Sequence, residues 1–395
     1  MDRIVVTGMG VISAIGNTVA ENRTSLVEGK CGMSRLELFS SKFSGILPVA
    51  EIKISTPDLK QKLGVNEPGI TRTTLLALHA FKEAIADSGL TEEQVSSGDT
   101  ALIGANTVGG MCMFDEMYED AKKDSVGSEY IASYDYGTVD MYLQKHYTMK
   151  GPVDTIHTAC SSSANAIMYG ARLIRSGRVN RAIVGGVDCL AKFTINGFNA
   201  LHILSPDICT PFDKSRKGLN LGEGAAFLVL EKESGVTGKK IYAALSGYAN
   251  ANDAYHASSL SDEGEGPYKV MKDALASAKL NPSQIDFINA HGTGTENNDK
   301  VESVAMLRLF GNVPPFASTK ANIGHTLGAA GAIEAVYCIL NLSCQELYAG
   351  LNFKTPIDET GLKPVQEYSN TPLTHIMSNS FGFGGNCSSL IFSKA

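Results

Sequence analysis

Two rhythms of apolar and polar residues alternate along this chain. The opening run IVVTGMGVISAIG, starting at Ile4, is continuously apolar and small, which predicts a buried strand entering a glycine turn. From Thr71 to Ser88 (TRTTLLALHAFKEAIADS) apolar residues recur at helical spacing and Gly89 closes the segment. Then come Thr91-Glu92-Glu93-Gln94, a predicted strand over Thr100–Ile103, and a loop from Gly104 to Gly110. The same order returns later: a helix over Tyr268–Lys279, Asn281-Pro282-Ser283-Gln284, a strand over Asp286–Asn289, and a loop from His291 to Thr295. Each series leads to an Ala/Gly/Ser-rich helix start, TACSSSANAI in the first and TKANIGHTLGAAGAIEAV in the second. This repeated order predicts an α/β protein of two related halves packed together, divided as 1–235 and 236–395. The seam falls near Lys232 to Lys240, where EKESGVTGKK turns polar. The first half carries extra material over about 111–147, rich in Met, Tyr and acidic residues. It reads as a surface excursion, or as a cap or dimer element over a pocket, since long insertions in compact domains are often functional.

The stretch Asp154 to Gly177 (DTIHTACSSSANAIMYGARLIRSG) combines both rhythms. A β-leaning run, Thr155-Ile156-His157-Thr158, precedes Cys160; after it, Ala164, Ile167, Met168, Ala171 and Ile174 fall at helical spacing, and Gly177 is the expected C-cap. Cys160 is therefore expected in the first turn of a helix. Unpaired N–H groups there stabilise a thiolate, lower the cysteine pKa, and can hold an oxyanion. A small buried cysteine between strand and helix fits the same pattern. Partners decide between the two. His291 follows a predicted strand in HGTGT, His325 closes KANIGH, and SNSFGFGGNC from Ser378 is a glycine loop suited to close approach of backbone to a ligand. One thiol and two imidazoles suit acyl transfer, the sulfur attacking a thioester and the imidazoles steadying an enolate or moving a proton.

Composition narrows the choice. A net charge of −7 argues against general nucleic-acid affinity while leaving room for a local basic patch. The opening lacks a dinucleotide fingerprint, because Ser13 stands where the third glycine belongs, and no Walker A sequence occurs, so a nucleotide cofactor is not expected. Met1-Asp2-Arg3 leads straight into Ile4, too short for a signal sequence, and no run is expected to span a bilayer. Eight scattered cysteines without metal-like spacing read as reduced thiols in a cytoplasmic protein without structural zinc.

TACSSS, HGTGT, KANIGH and SFGFGG, in this order and spacing, resemble the β-ketoacyl-acyl-carrier-protein synthases, in particular the elongating type II condensing enzymes. The likeness runs from VVTGMGVIS through PFDKSRKGLNLGEGAAFLVLE to SFGFGG. It implies the thiolase fold, a five-layered α-β-α-β-α arrangement. It also implies a decarboxylative Claisen condensation on acyl carrier protein, whose phosphopantetheine carries the substrates, with no other cofactor and no metal. By the resemblance Cys160 is the acylated nucleophile, while His291 and His325 support malonyl decarboxylation. Lys320 pairs with Glu302, itself counted among the substrate-binding residues, and Phe383 is a gate whose N–H joins that of Cys160 in an oxyanion hole. Thr293 and Thr295 contact the malonyl or pantetheine portion, and Val108 lines the acyl pocket. A homodimer, or a heterodimer with a chain-length-factor-like subunit, is implied.

Some positions depart from the family's common pattern. Glu296 follows HGTGT, Thr210 precedes Pro211-Phe212-Asp213, Leu204 to Cys209 is a short link, and Asn386-Cys387 follows FGFGG. These point to a specialised polyene or polyketide-like pathway. For carrier docking the candidates are Lys214, Arg216 and Lys217 in PFDKSRKG, with Arg72 as a distant second, although a solvated charged turn would look the same. Rival readings are a thiolase, which uses a second cysteine as base, a non-catalytic chain-length subunit, which lacks the nucleophile, and a Cys–His peptidase. The thiol with two histidines disfavours the first two, and Lys320 with the repeat disfavours the third.

Overall fold

The computed structural model describes residues 2–123 and 127–395; Met1 and residues 124–126, which fall inside the expected insertion, lie outside it. The strands are β1 (Ile4–Ser13), β2 (Thr100–Ala105), β3 (Val153–Ile156), β4 (Arg181–Asp188), β5 (Gly224–Lys232), β6 (Ala243–Asn252), β7 (Phe287–Asn289), β8 (Phe316–Ala317), β9 (Glu346–Leu347), β10 (Ser369–Asn370), β11 (His375–Phe381) and β12 (Asn386–Ser393). The α-helices are α1 (Val19–Val27), α2 (Thr56–Leu63), α3 (Arg72–Ser88), α4 (Glu92–Ser96), α5 (Phe114–Lys123), α6 (Thr138–His146), α7 (Ser162–Arg175), α8 (Lys192–Ala200), α9 (Glu265–Ala278), α10 (Glu296–Phe310), α11 (Lys320–Ile323) and α12 (Ala330–Cys344).

Ten strands form one mixed sheet in the order β3-β2-β4-β5-β1-β6-β12-β11-β7-β8, while β9 and β10 make a separate ribbon. Outward from the antiparallel β1–β6 pair, each side runs first, fifth, fourth, second and third strand of its own series. The two series are thus built alike. Side chains alternate across each strand, so Leu228 and Leu230 face one core cluster and Val229 the other. On the first side α3 packs outside the sheet through Leu75, Leu78 and Phe81, and on the second α9 and α10 do so through Val270, Ala274 and Val301. Helices α7 and α12 share the central cluster with the inner faces of both sides. This is the five-layered thiolase-like α/β fold.

Missing side chains allow the layers to close. A Cβ on Gly10 would stand 2.0 Å from the Ala80 carbonyl oxygen, so α3 lies directly on β1, and Gly8 and Gly10 are strand residues rather than a phosphate turn. A Cβ on Gly331 would stand 2.8 Å from the Ala164 nitrogen, which brings the start of α12 against the start of α7.

Several expectations shift. The strand before Cys160 ends at Ile156, and the α7 cap falls on Ser176 with Gly177 following at φ +73°. KANIGHTLGAAG does not form one helix start: α11 stops at Gly324, with φ +68°, and α12 begins six residues later. The expectation that no run could span a bilayer is corrected by composition, because Leu327–Cys344 is long and apolar enough. However, 89% of that window is buried inside the protein.

Asp140 of α6 is enclosed against β2, where Gly104 leaves room for its carboxyl, and it accepts a 2.5 Å hydrogen bond from the Thr155 hydroxyl. Burial raises its pKa from 3.8 to about 7. Between those values the folded state holds a proton that the unfolded state has released. This contribution to stability is therefore present at low pH and lost as pH rises through 7. Asp140→Asn removes the penalty: in denaturant unfolding, the variant's stability relative to wild type should improve by about 2–3 kcal/mol from pH 5 to pH 8.

Candidate active site

Cys160 sits on a tight elbow between β3 and α7. Ala159 adopts φ +51°, a region costly for a residue with a side chain, and the Ser161 and Ser162 N–H groups fold back on the Thr158 and Ala159 carbonyls. The helix begins at Ser162, so the thiol lies just ahead of the first turn rather than within it. The glycine loop after β11 presses against this elbow: a Cβ on Gly382 would stand 2.8 Å from the Thr158 carbonyl oxygen and 3.2 Å from the Cys160 nitrogen. That approach aims two amides, the N–H groups of Phe383 and of Cys160 itself, at the sulfur.

The expected lowered thiol pKa is not found. Burial pushes Cys160 up to about 11, outweighing the nearby Lys320 charge and the two amide hydrogen bonds. Dry surroundings penalise the anion more than a helix start favours it. The resting site therefore holds a thiol.

His291 and His325 meet edge to face, with ring centroids 5.4 Å apart, and Phe381 packs 5.7 Å from His291. Burial first, and the Lys320 charge second, hold both imidazoles well below the ordinary histidine range, so both are neutral. Lys320 Nζ lies 3.3 Å from His291 Nδ1 and 2.5 Å from the His291 carbonyl oxygen. An ammonium cannot accept, so Nδ1 is the acceptor and the His291 proton resides on Nε2.

The expected Lys320–Glu302 pair is corrected. Lys320 instead pairs with Glu334 of α12 at 2.6 Å, with both side chains buried. Glu302 of α10 accepts the N–H groups of His291 and Gly292, each at 2.9 Å, and the Asn379 amide at 3.2 Å. It is a fully buried brace for the HGTGT loop, not a substrate contact, and burial raises its pKa to about 7.

A cavity of about 430 Å³ is lined by Cys160, His291, His325, Phe383, Thr293 and Thr295. The Phe383 ring stacks on Phe198 at 5.9 Å, and the two threonine hydroxyls lie 2.9 Å apart. Val108 lies elsewhere, fully buried in the outer core of the first side, its N–H bonded to Asp188. Among the docking candidates, Lys217 lies at the cavity and pairs with Asp207 at 3.0 Å, while Lys214 pairs with Asp358 at 2.6 Å. Arg216 binds the Thr295 and Glu296 carbonyls and so straps the HGTGT loop. Arg72 is corrected: it is buried against Glu223 and offers no surface charge.

Sequence reading missed two carboxylates. Asp188 ends β4 and accepts the N–H groups of Thr107, Val108 and Gly328, tying the loop after β2 to the turn beyond His325. Glu334 is the other. Each is the lone acid of a mostly apolar element, RAIVGGVD and AGAIEAVYCIL, and that isolation is the available signal.

A cavity lined by one buried thiol and two neutral imidazoles, with backbone amides beside the sulfur, is the equipment of an acyl-transferring enzyme. Residues 1–235 match the family described as Beta-ketoacyl synthase, N-terminal domain, and residues 242–354 match Beta-ketoacyl synthase, C-terminal domain. The chain belongs to the β-ketoacyl synthase family. It is 31% identical to the 3-oxoacyl-[acyl-carrier-protein] synthase 2 of Coxiella burnetii, over 99% of this chain and 98% of that protein. It is also 31% identical to a putative mitochondrial 3-oxoacyl-[acyl-carrier-protein] synthase of Schizosaccharomyces pombe, over 100% and 99%. Among solved structures it is similar to the ishigamide ketosynthase/chain length factor, with TM-score 0.94, 29% identity, and coverage of 100% of this chain and 99% of that one. A type II acyl-carrier protein in complex with its ketosynthase gives 0.89, 27%, 100% and 99%.

The Lys320–Glu334 pair is open to a thermodynamic test. Lys320→Met or Glu334→Leu alone leaves one buried group unpaired and should cost about 3–5 kcal/mol, whereas the double replacement should be close to wild type. Denaturant unfolding of the four proteins measures the coupling, and additive losses would mean that the pair is not formed.

Proposed function

We propose that this enzyme, an elongating ketosynthase, carries its acyl chain on Cys160 and condenses it with malonyl-acyl-carrier protein, releasing carbon dioxide and a 3-oxoacyl-acyl-carrier protein. One observation carries the assignment of residues: Cys160, His291, His325 and the Phe383 N–H converge on one cavity. In the first stage the thiol attacks the acyl thioester, the Cys160 and Phe383 amides hold the oxyanion, and the sulfur proton leaves with the pantetheine thiol. A neutral imidazole is suited to relaying that proton. In the second stage the malonyl carboxylate departs as carbon dioxide, and His291 Nε2–H and His325 hold the thioester enolate oxygen. The enolate carbon attacks the acyl carbonyl, the Cys160 thiolate is expelled, and the thiolate takes up one proton from solvent, the proton that the condensation consumes. Thr293 and Thr295 receive the pantetheine or malonyl portion, and Lys320 with Glu334 keeps His291 in its tautomer.

The substrates arrive on carrier protein, and no other cofactor enters this scheme. The enzyme works in the cytoplasm and pairs with a second copy or with a chain-length-factor-like subunit. Supporting this, Phe114, Tyr118, Ile131, Tyr134 and Met141 of the insertion region are exposed, as is Phe193 beside them.

Incubation with acyl-carrier protein should add one acyl mass to the peptide containing Cys160, and Cys160→Ala should abolish it. Label on another cysteine overturns the assignment. His291→Ala and His325→Ala should each reduce condensation by about 10²–10³ while acylation falls far less, because the enolate exists only after decarboxylation. Equal loss of both steps would make the histidines the base for sulfur.

Lys217 at the cavity is our candidate docking cation: its pair with Asp207 is exposed and exchangeable, whereas Arg216 is held by two backbone carbonyls. Lys217→Glu should raise KM for carrier-bound substrates severalfold at low salt and less at high salt, with kcat held. An unchanged KM excludes this face.

A further inference from the structure

The two amides aimed at the Cys160 sulfur come from distant parts of the chain, and something must set the gap between them. Asn386, the first residue of β12, touches the neighbour of each. Its backbone carbonyl accepts the Gly382 N–H at 2.8 Å, and Gly382 immediately precedes Phe383. Its side-chain Oδ1 lies 2.7 Å from the Ser161 hydroxyl, whose single proton it shares with the Thr158 carbonyl oxygen at 2.8 Å, and Ser161 immediately follows Cys160. The same oxygen accepts the Asn165 amide of α7 at 2.9 Å and the Asn250 amide of β6 at 2.8 Å. An amide oxygen has two lone pairs, so these three donors share it. Asn165 also donates to the Thr158 hydroxyl at 2.8 Å and accepts the Ser388 hydroxyl at 2.7 Å, so the elbow, α7 and β12 form one network.

We infer that Asn386 is a positioning residue for the acyl-transfer reaction, fixing the spacing of the Cys160 and Phe383 amide donors by holding Ser161 with its side chain and Gly382 with its backbone. The inference rests on the proposed roles of Cys160 and Phe383. It acts on orientation rather than on binding: Asn386 is not among the residues that line the cavity, although Gly382, which its carbonyl holds, is. Loss of the side-chain oxygen leaves the backbone hold on Gly382 intact and releases the Ser161 side. The two donors then drift relative to the carbonyl that they must meet, and misplacement of about 1 Å can cost on the order of 10²-fold.

The test uses the full-length enzyme with acyl- and malonyl-carrier protein. Asn386→Leu keeps the size and removes the acceptor, while Asn386→Asp keeps an oxygen in place. Asn386→Leu should lower kcat for Cys160 acylation and for condensation by about tenfold to a hundredfold, with KM for the acyl carrier within twofold, and Asn386→Asp should restore most of the rate. A leucine variant with wild-type kcat, or a loss appearing only in KM, overturns the inference, as does an aspartate variant no better than leucine. If Asn386→Leu does not fold, Ser161→Ala decides, since it removes the elbow's own donor: kcat should fall about threefold to tenfold at unchanged KM, and an unchanged kcat overturns the inference. The parent reading is scored separately in the wild type, where an acyl adduct away from Cys160 removes both readings, while an adduct on Cys160 leaves only the role of Asn386 at stake.

Discussion

Lys320 places an ammonium 2.6 Å from Glu334 in the centre of the protein, with both side chains cut off from solvent. Neither partner could be buried alone, and together they leave a positive charge beside two imidazoles. That charge, added to burial, holds His291 and His325 neutral, and contact with His291 Nδ1 sets which nitrogen carries the proton. The same charge favours the Cys160 thiolate, yet burial exceeds it and the thiol stays protonated at rest. The site thus keeps its donors ready and its nucleophile quiet until a thioester arrives.

The two series of strands explain where these groups come from. Cys160 follows the third strand of the first series, and Lys320 follows the corresponding strand, β8, of the second. His291 follows β7, the partner of β2, and the FGFGG loop joins β11 to β12. Cys160, His291, Lys320 and Phe383 therefore follow strand ends, and His325 follows the short helix α11. Gly331 and Ala164 let α12 meet α7, and Gly382 lets the final loop reach the elbow.

Much of this was legible in the chain. Helical spacing over Thr71–Ser88 and the repeated helix–strand order predicted the layers, and the motifs around Cys160, His291, His325 and Phe383 named groups that share one cavity. The misses have physical causes. Glu302 and Glu334 are both acids within helical patterns, and only the packing of α12 against the HGTGT loop tells which one meets Lys320. A helix start suggested an acidic thiol, but periodicity carries no information on how completely a side chain is dried. Arg72 looked like any surface arginine because Glu223, its partner, is remote in sequence. Asn386 was visible only as a departure from a pattern; its partners Ser161 and Asn165, at the start of α7, and Asn250, in β6, are remote from it in sequence.

Helix α12 has a further consequence for how the protein is made. Its apolar stretch, Leu327–Cys344, fills the space between the inner faces of both sides, including that of strands finished long before it. On a ribosome, β1 to β5 and α7 emerge first; α7 covers the inner face over β2 and β4, yet the part over β5 and β1 stays uncovered until α12 emerges near the end of synthesis. For that interval the nascent chain presents a broad, strand-rich apolar face, the kind of surface that associates with other chains. The element that gives the finished enzyme its dry centre therefore makes it dependent, during synthesis, on speed or on shielding by chaperones.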